Sequence, residues 1–105
     1  MEINSIVILS LTGPKEKIWG QLMGLTTAGV TIRGIELESF DDLLRQIMGQ
    51  EEATVGLATV FYPIHRVERI ALDEPSGSLP SLADRFRGKV GISIQEYLGL
   101  ETPRV

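Results

Sequence analysis

From Ile3 to Leu72 the apolar residues gather into short runs of period two or of solid aliphatic character, each cut by glycine, proline or small polar residues. Such punctuation builds a meander of short strands and, one segment excepted, leaves no stretch long enough for a helix crossover. The first run, Ile3 to Leu11, carries Ile6, Val7, Ile8, Leu9 and Leu11 and so suits a strand covered on both faces. Gly13-Pro14 ends it. In the second, Glu16 to Leu25, Ile18, Gly20, Leu22 and Gly24 share one face and Trp19, Gln21, Met23 and Leu25 the other. Two glycines on one face predict a tightly bent strand at a barrel corner.

A turn over Thr26-Thr27-Ala28-Gly29 leads to a third strand, Val30 to Glu38. Val30 and Ile32 lie on one face of it and Ile35 and Leu37 on the other, and this change of phase predicts a β-bulge at Gly34. The fourth strand, Thr54 to Tyr62, alternates again and stops at Pro63. Ile64-His65-Arg66 then allows only a tight connector such as one 3₁₀ turn before the last strand, Val67 to Leu72.

Between the third and fourth strands, about residues 39–49, Phe40, Leu43, Leu44 and Ile47 have the spacing of a helical stripe. Ser39 is placed to cap this helix, Asp41 and Asp42 fill its first turn, and Gly49 closes it. From Asp73 to Ser81, two prolines, a glycine and three serines read as a linker. Beyond it, Leu82, Ala83 and Phe86, then the capping box Ser93-Ile94-Gln95-Glu96 before Tyr97-Leu98, predict two short helices broken at Gly88 and Gly91. Helices this short need a surface to dock on. Leu82, Phe86, Tyr97 and Leu98 are therefore expected to be buried against a barrel. The expected organisation is a β-barrel domain over 1–74, carrying the helical insertion, and a linker with helical tail over 75–105.

The chain has 105 residues, 43% hydrophobic and 23% charged, which suits one folded domain. It contains no cysteine, so disulfides, thiolate metal ligands and a cysteine nucleophile are excluded. The segment before Ile6 lacks the basic stretch and long apolar core of a signal peptide, and no run approaches a membrane span. A cytoplasmic protein without membrane contact is expected. The net charge of −4 and pI near 4.9 disfavour attraction of nucleic acid to the whole surface.

Five strands with a three-residue break before the last give the order of an Sm-like or Hfq-like small barrel. The segments that carry the likeness are Trp19-Gly20-Gln21-Leu22, Gly29-Val30-Thr31-Ile32, and Val60 through Pro63 to Ile70. The chain resembles that family over about residues 5–73. Other SH3-like barrels would produce a similar string. The resemblance implies assembly into rings by strand addition between the fourth strand of one copy and the fifth of the next, and in many members single-stranded RNA binding. Where the family places an Asp and an Asn between the second and third strands, this chain has Thr26, Thr27 and Ala28. Where it has an Arg-Gly or Lys-His pair, Tyr62-Pro63-Ile64-His65 stands here.

No catalytic, metal or cofactor constellation emerges. His65 is the single histidine and reads as a turn residue, since one imidazole cannot complete a zinc site. Asp41-Asp42, Glu51-Glu52 and Asp73-Glu74 read as helix-start and loop acids, and no phosphate-binding glycine motif is present. Trp19 reads as core. The sequence therefore predicts a non-enzymatic, self-associating barrel that needs no cofactor. Its homo-oligomer contact is expected at Thr59, Val60, Phe61, Tyr62, Val67 and Ile70, and another protein is the other partner class. The rival reading is RNA binding through Arg66, Arg69, Arg85, Arg87 and Lys89.

Overall fold

The computed structural model describes residues 1–49 and 55–101. Five antiparallel strands form one sheet in the order β4-β3-β2-β1-β5: β1 Ile6–Leu11, β2 Glu16–Leu25, β3 Gly29–Glu36, β4 Ala58–Pro63 and β5 Val67–Leu72. Three helices accompany it, α1 Phe40–Gly49, α2 Leu82–Val90 and α3 Ile94–Glu101. The fold is thus mainly β, with a helical insertion between β3 and β4 and a helical tail. None of the described helices is long and apolar enough to cross a membrane. The strand expected to run to Glu38 stops at Glu36, where a 3₁₀ turn over Leu37–Ser39 leads directly into α1. The fourth strand, expected from Thr54 to Tyr62, runs only from Ala58 to Pro63: Val55 to Leu57 lie outside it, where Val55 and Leu57 pack against the core under the helices, while Thr54 and the pair Glu51-Glu52 lie outside the described residues.

A second 3₁₀ turn, Ile64–Arg66, fills the break between β4 and β5 as expected. Its two ends show how strongly the sheet bends. Ile64 N–H donates to the Ala28 carbonyl at 2.8 Å, and the Arg66 carbonyl accepts from Thr12 N–H at 2.8 Å. Ala28 and Thr12 belong to the turns at opposite ends of β2, whose ten residues would reach about 33 Å if straight. A three-residue 3₁₀ turn advances only about 6 Å. The sheet must therefore curl back on itself between those turns.

Where two glycines face each other, β2 and β3 come too close for any side chain. Gly20 pairs with Gly34, a Cβ on Gly20 would strike the Arg33 carbonyl and the Gly34 Cα, and one on Gly34 would strike the Trp19 carbonyl. The bulge expected at Gly34 is absent: pairing is continuous from Ile18↔Glu36 to Leu22↔Ile32, and Gly34 occupies a regular position. The register instead slips between Leu22 and Gly24, in β2. The sequence misled because both faces of β3 are covered, so Ile35 is apolar without any change of phase. The slip also turns Gly24 out of the face shared by Ile18 and Leu22.

Two cores follow from this double covering. Inside the curl, Val7, Leu9 and Leu11 of β1 meet Ile18, Leu22, Val30 and Ile32. On the outer face Ile6, Trp19 and Ile35 meet Phe40, Leu43 and Leu44 of α1 and Phe86, Ile94 and Leu98 of the tail. Trp19 is fully buried, with Phe40 edge-on at 5.0 Å and Phe86 at 6.1 Å. Such ring pairs add about 0.5–1.5 kcal/mol each beyond area burial.

The tail docks on its own chain. Phe86 and Leu98 are buried, and Leu82 and Tyr97 are half-buried against the same core. Gly88 does not break a helix but lies within α2, which ends at Gly91 in the left-handed region. The box at Ser93 forms, its hydroxyl accepting from Glu96 N–H at 3.0 Å. The stretch from Asp73 to Ser81 does more than link, because Asp73 anchors the start of α2. Its carboxylate accepts from Leu82 N–H at 2.9 Å, Ala83 N–H at 2.8 Å and Trp19 Nε1–H at 3.0 Å.

Candidate functional site

The two edges of the sheet, β4 and β5, carry the residues that the sequence offers for self-association. On β4, Thr59, Val60 and Phe61 are exposed, Phe61 by 51%, while Tyr62 is half-buried against the inner core. On β5, Val67 and Ile70 are half-buried against that same core. Both edges are therefore rims of one apolar interior. The register extends it further, since Val60 pairs with Ile32 and Leu72 with Val7, both inner-core residues. Yet Val60 is 37% and Leu72 44% exposed, and Ile64 between the strands 47%. Among the described residues no strand pairs with the outer side of β4 or β5.

The basic residues fall on different elements and differ in what already holds them. Arg66 donates to the Thr12 carbonyl at 3.0 Å and the Pro14 carbonyl at 2.9 Å, lies 3.6 Å from Glu16 and packs over Tyr62. It fastens the β1–β2 turn to the start of β5. Arg85 pairs with Asp41 at 3.0 Å and covers the Phe40 ring, tying α2 to α1. Arg69 on β5, and Arg87 and Lys89 on α2, are exposed.

His65 is exposed on the 3₁₀ turn. Burial pushes the phenol of nearby Tyr62 above its usual range, with Glu16 and Glu36 adding to the effect and Arg66 opposing it, so Tyr62 keeps its proton at neutral pH. No group of three or more histidines and carboxylates is placed to hold a metal ion among the described residues.

A cleft of about 640 Å³ opens where the β1–β2 turn, the end of β3 and the start of β5 meet. Lys15, Lys17 and Arg69 line it, as do Glu36, Glu38 and Glu68, with Ser10 and Leu37 between them. Ser10 is only 5% exposed, and its cross-strand neighbours are Lys17 and Arg69. A register shift in the β1–β5 ladder leaves Glu68 without an opposite residue and turns it out of the pairing. Sequence reading passed over this cleft. Its one local signal is Ser10, the single polar residue in the run Ile6–Leu11.

At the cleft's rim the Glu36 carboxyl holds its proton above the ordinary glutamate range, first because it hydrogen-bonds Glu38, then through partial desolvation and the charges of Glu38 and Glu16. Raised affinity in the fold means a stability contribution that is full below the unfolded value near 4.5 and lost as pH rises through the folded one. Glu36→Gln is thus expected to gain in melting temperature relative to wild type between pH 4 and 7. A constant difference across that range would refute the linkage. No protein-family model, curated protein or solved structure matches this chain.

Proposed function

We propose that the chain is a non-enzymatic, self-associating module, an Sm-like or SH3-like small barrel that joins copies of itself edge to edge. The observation that carries this reading is the pair of free edges bordering one apolar interior. Both edge strands are six residues long, and β4 from Ala58 to Pro63 bears no charge that would keep a second strand away. Adding β5 of one copy to β4 of the next would satisfy backbone groups on both edges and cover Val60 and Leu72. Because the two edges differ, the contact is head-to-tail, giving a ring if the rotation between copies closes and a filament if it does not. A cytoplasmic protein whose partner is its own copy, or a second protein offering a strand, fits this reading.

Sedimentation tests it. Wild type is expected as a multimer and Phe61→Asp as a folded monomer, since Phe61 is half exposed and an aspartate in a shared interface would be desolvated. A monomeric wild type at tens of micromolar would overturn the proposal. RNA is the lesser partner, because internal contacts engage Arg66 and Arg85. Three remaining cations would give a single-strand salt slope of only about −2. Single-stranded RNA binding is expected to be weak and to vanish by about 0.15 M salt. Tight binding that survives that salt would instead favour the RNA reading.

A further inference from the structure

A second cleft, of about 360 Å³, opens where β3 outruns β4. The ladder between the two begins at Gly34↔Ala58, so Ile35 and Glu36 extend past the start of β4. Residues directly opposite each other share a face of the sheet. Ile18↔Glu36, Ile32↔Val60 and Gly34↔Ala58 are such pairs, which puts Glu36, Ala58 and Val60 on the inner face with the core residues Ile18 and Ile32. Tyr62, packed against that core, lines the cleft as well. The apolar interior reaches solvent here, since Ile32 is 1% exposed and Val60 opposite it 37%.

The charge of this cleft has one sign. Among the described residues that line it, Glu36 alone is charged. No described lysine or arginine forms an ion pair with Glu36, whose charged neighbours are Glu38 and Glu16. Arg66, the cation over the Tyr62 ring, is held by the Thr12 and Pro14 carbonyls and lies 3.6 Å from Glu16. An apolar wall ending in one carboxylate selects a ligand that is apolar along its body and cationic at one end. An anion would be repelled by Glu36, and a bare cation would leave the apolar wall in water.

We propose that this cleft binds a small amphipathic amine, with its apolar body between Ile18, Ile32 and Val60 and its ammonium on the Glu36 carboxylate. Gly34 and Glu36 are two residues apart on the inner face, about 7 Å. A two-carbon arm therefore lets an ammonium reach Glu36 from a ring seated over Gly34. The site goes beyond self-association, because it uses side chains of the inner face, whereas strand addition uses the backbone edge of β4.

Titration of the full chain with phenethylamine at neutral pH, followed by amide chemical shifts, tests the assignment, with phenylethanol, phenylpropionate and ethylamine as controls. Saturable shifts at Glu36, Ala58, Val60 and Tyr62 are expected for phenethylamine, with a Kd on the order of 1 mM for so small a ligand. Phenylethanol should bind about fivefold more weakly, the scale of one exposed ion pair. Ethylamine and phenylpropionate should not saturate. Glu36→Gln should bring phenethylamine and phenylethanol to equal affinity. Ala58→Leu, which fills the cleft from an exposed position, should abolish saturation for both. Spectra unchanged away from the substituted residue would establish that the variants fold. Absence of saturable shifts in wild type would overturn the proposal. So would phenylpropionate binding as tightly as phenethylamine, or a preference for the amine that persists in Glu36→Gln.

Discussion

Gly34→Val is expected to abolish cooperative folding. The added Cβ meets the Trp19 carbonyl and the Gly20 Cα, which are backbone atoms that no rotamer change can move. Overpacking in a core usually costs about 1–3 kcal/mol because side chains yield. Here the two strands themselves must separate, in the middle of the β2–β3 ladder. A domain of this size has about 5–15 kcal/mol of stability, and losing the Gly20↔Gly34 crossing also weakens the pairs on either side. Gly88→Ala provides the contrast. That glycine is inside α2 with open space around it, so alanine is expected to stabilise by about 0.5–1 kcal/mol. Thermal unfolding of both variants by circular dichroism checks the pair of outcomes. A cooperative transition for Gly34→Val within a few degrees of wild type would show that the crossing is looser than described.

Asp73→Ala should produce the second largest loss. One carboxylate accepts the first two N–H groups of α2 and the indole N–H of Trp19, which is fully buried. Bonds to a charged acceptor contribute about 1.5–3 kcal/mol each, and an orphaned helix start costs about 1 kcal/mol. Because these bonds share one partly exposed acceptor they do not add, and a total near 3 kcal/mol is expected. That corresponds to a fall in melting temperature of roughly 12–24 °C. Asp73→Asn is no rescue, since Leu82 uses one oxygen while Ala83 and Trp19 share the other, and an amide would turn a donor toward donors. Trp19 is the sole tryptophan, so its fluorescence reports the site without interference. Its emission should shift to the red as α2 lifts from the sheet. An unchanged melting temperature would mean that Ser81, which accepts from Asp84 N–H at 3.0 Å, caps α2 unaided.

What was legible in the sequence was what is local in the chain. The five runs, the three-residue connector after Pro63, the stripe Phe40, Leu43, Leu44 and the box at Ser93 each depend on period or turn chemistry within a few residues. The docking of Phe86 and Leu98 was legible for a related reason, since short helices cannot hold themselves together. Tertiary structure alone decided the rest. Asp73 looked like a loop acid because its partner Trp19 is 54 residues away, and Arg66 looked free because Thr12 and Pro14 are 54 and 52 residues away. Gly34 imitated a bulge because two cores, one inside the curl and one under the helices, make both faces of β3 apolar. The slip near Met23 left no trace in the pattern of its own strand. The cleft was hidden for the same reason: Lys17, Ser10 and Arg69 form a row only once β2, β1 and β5 are in register, and register is a property of the assembled sheet.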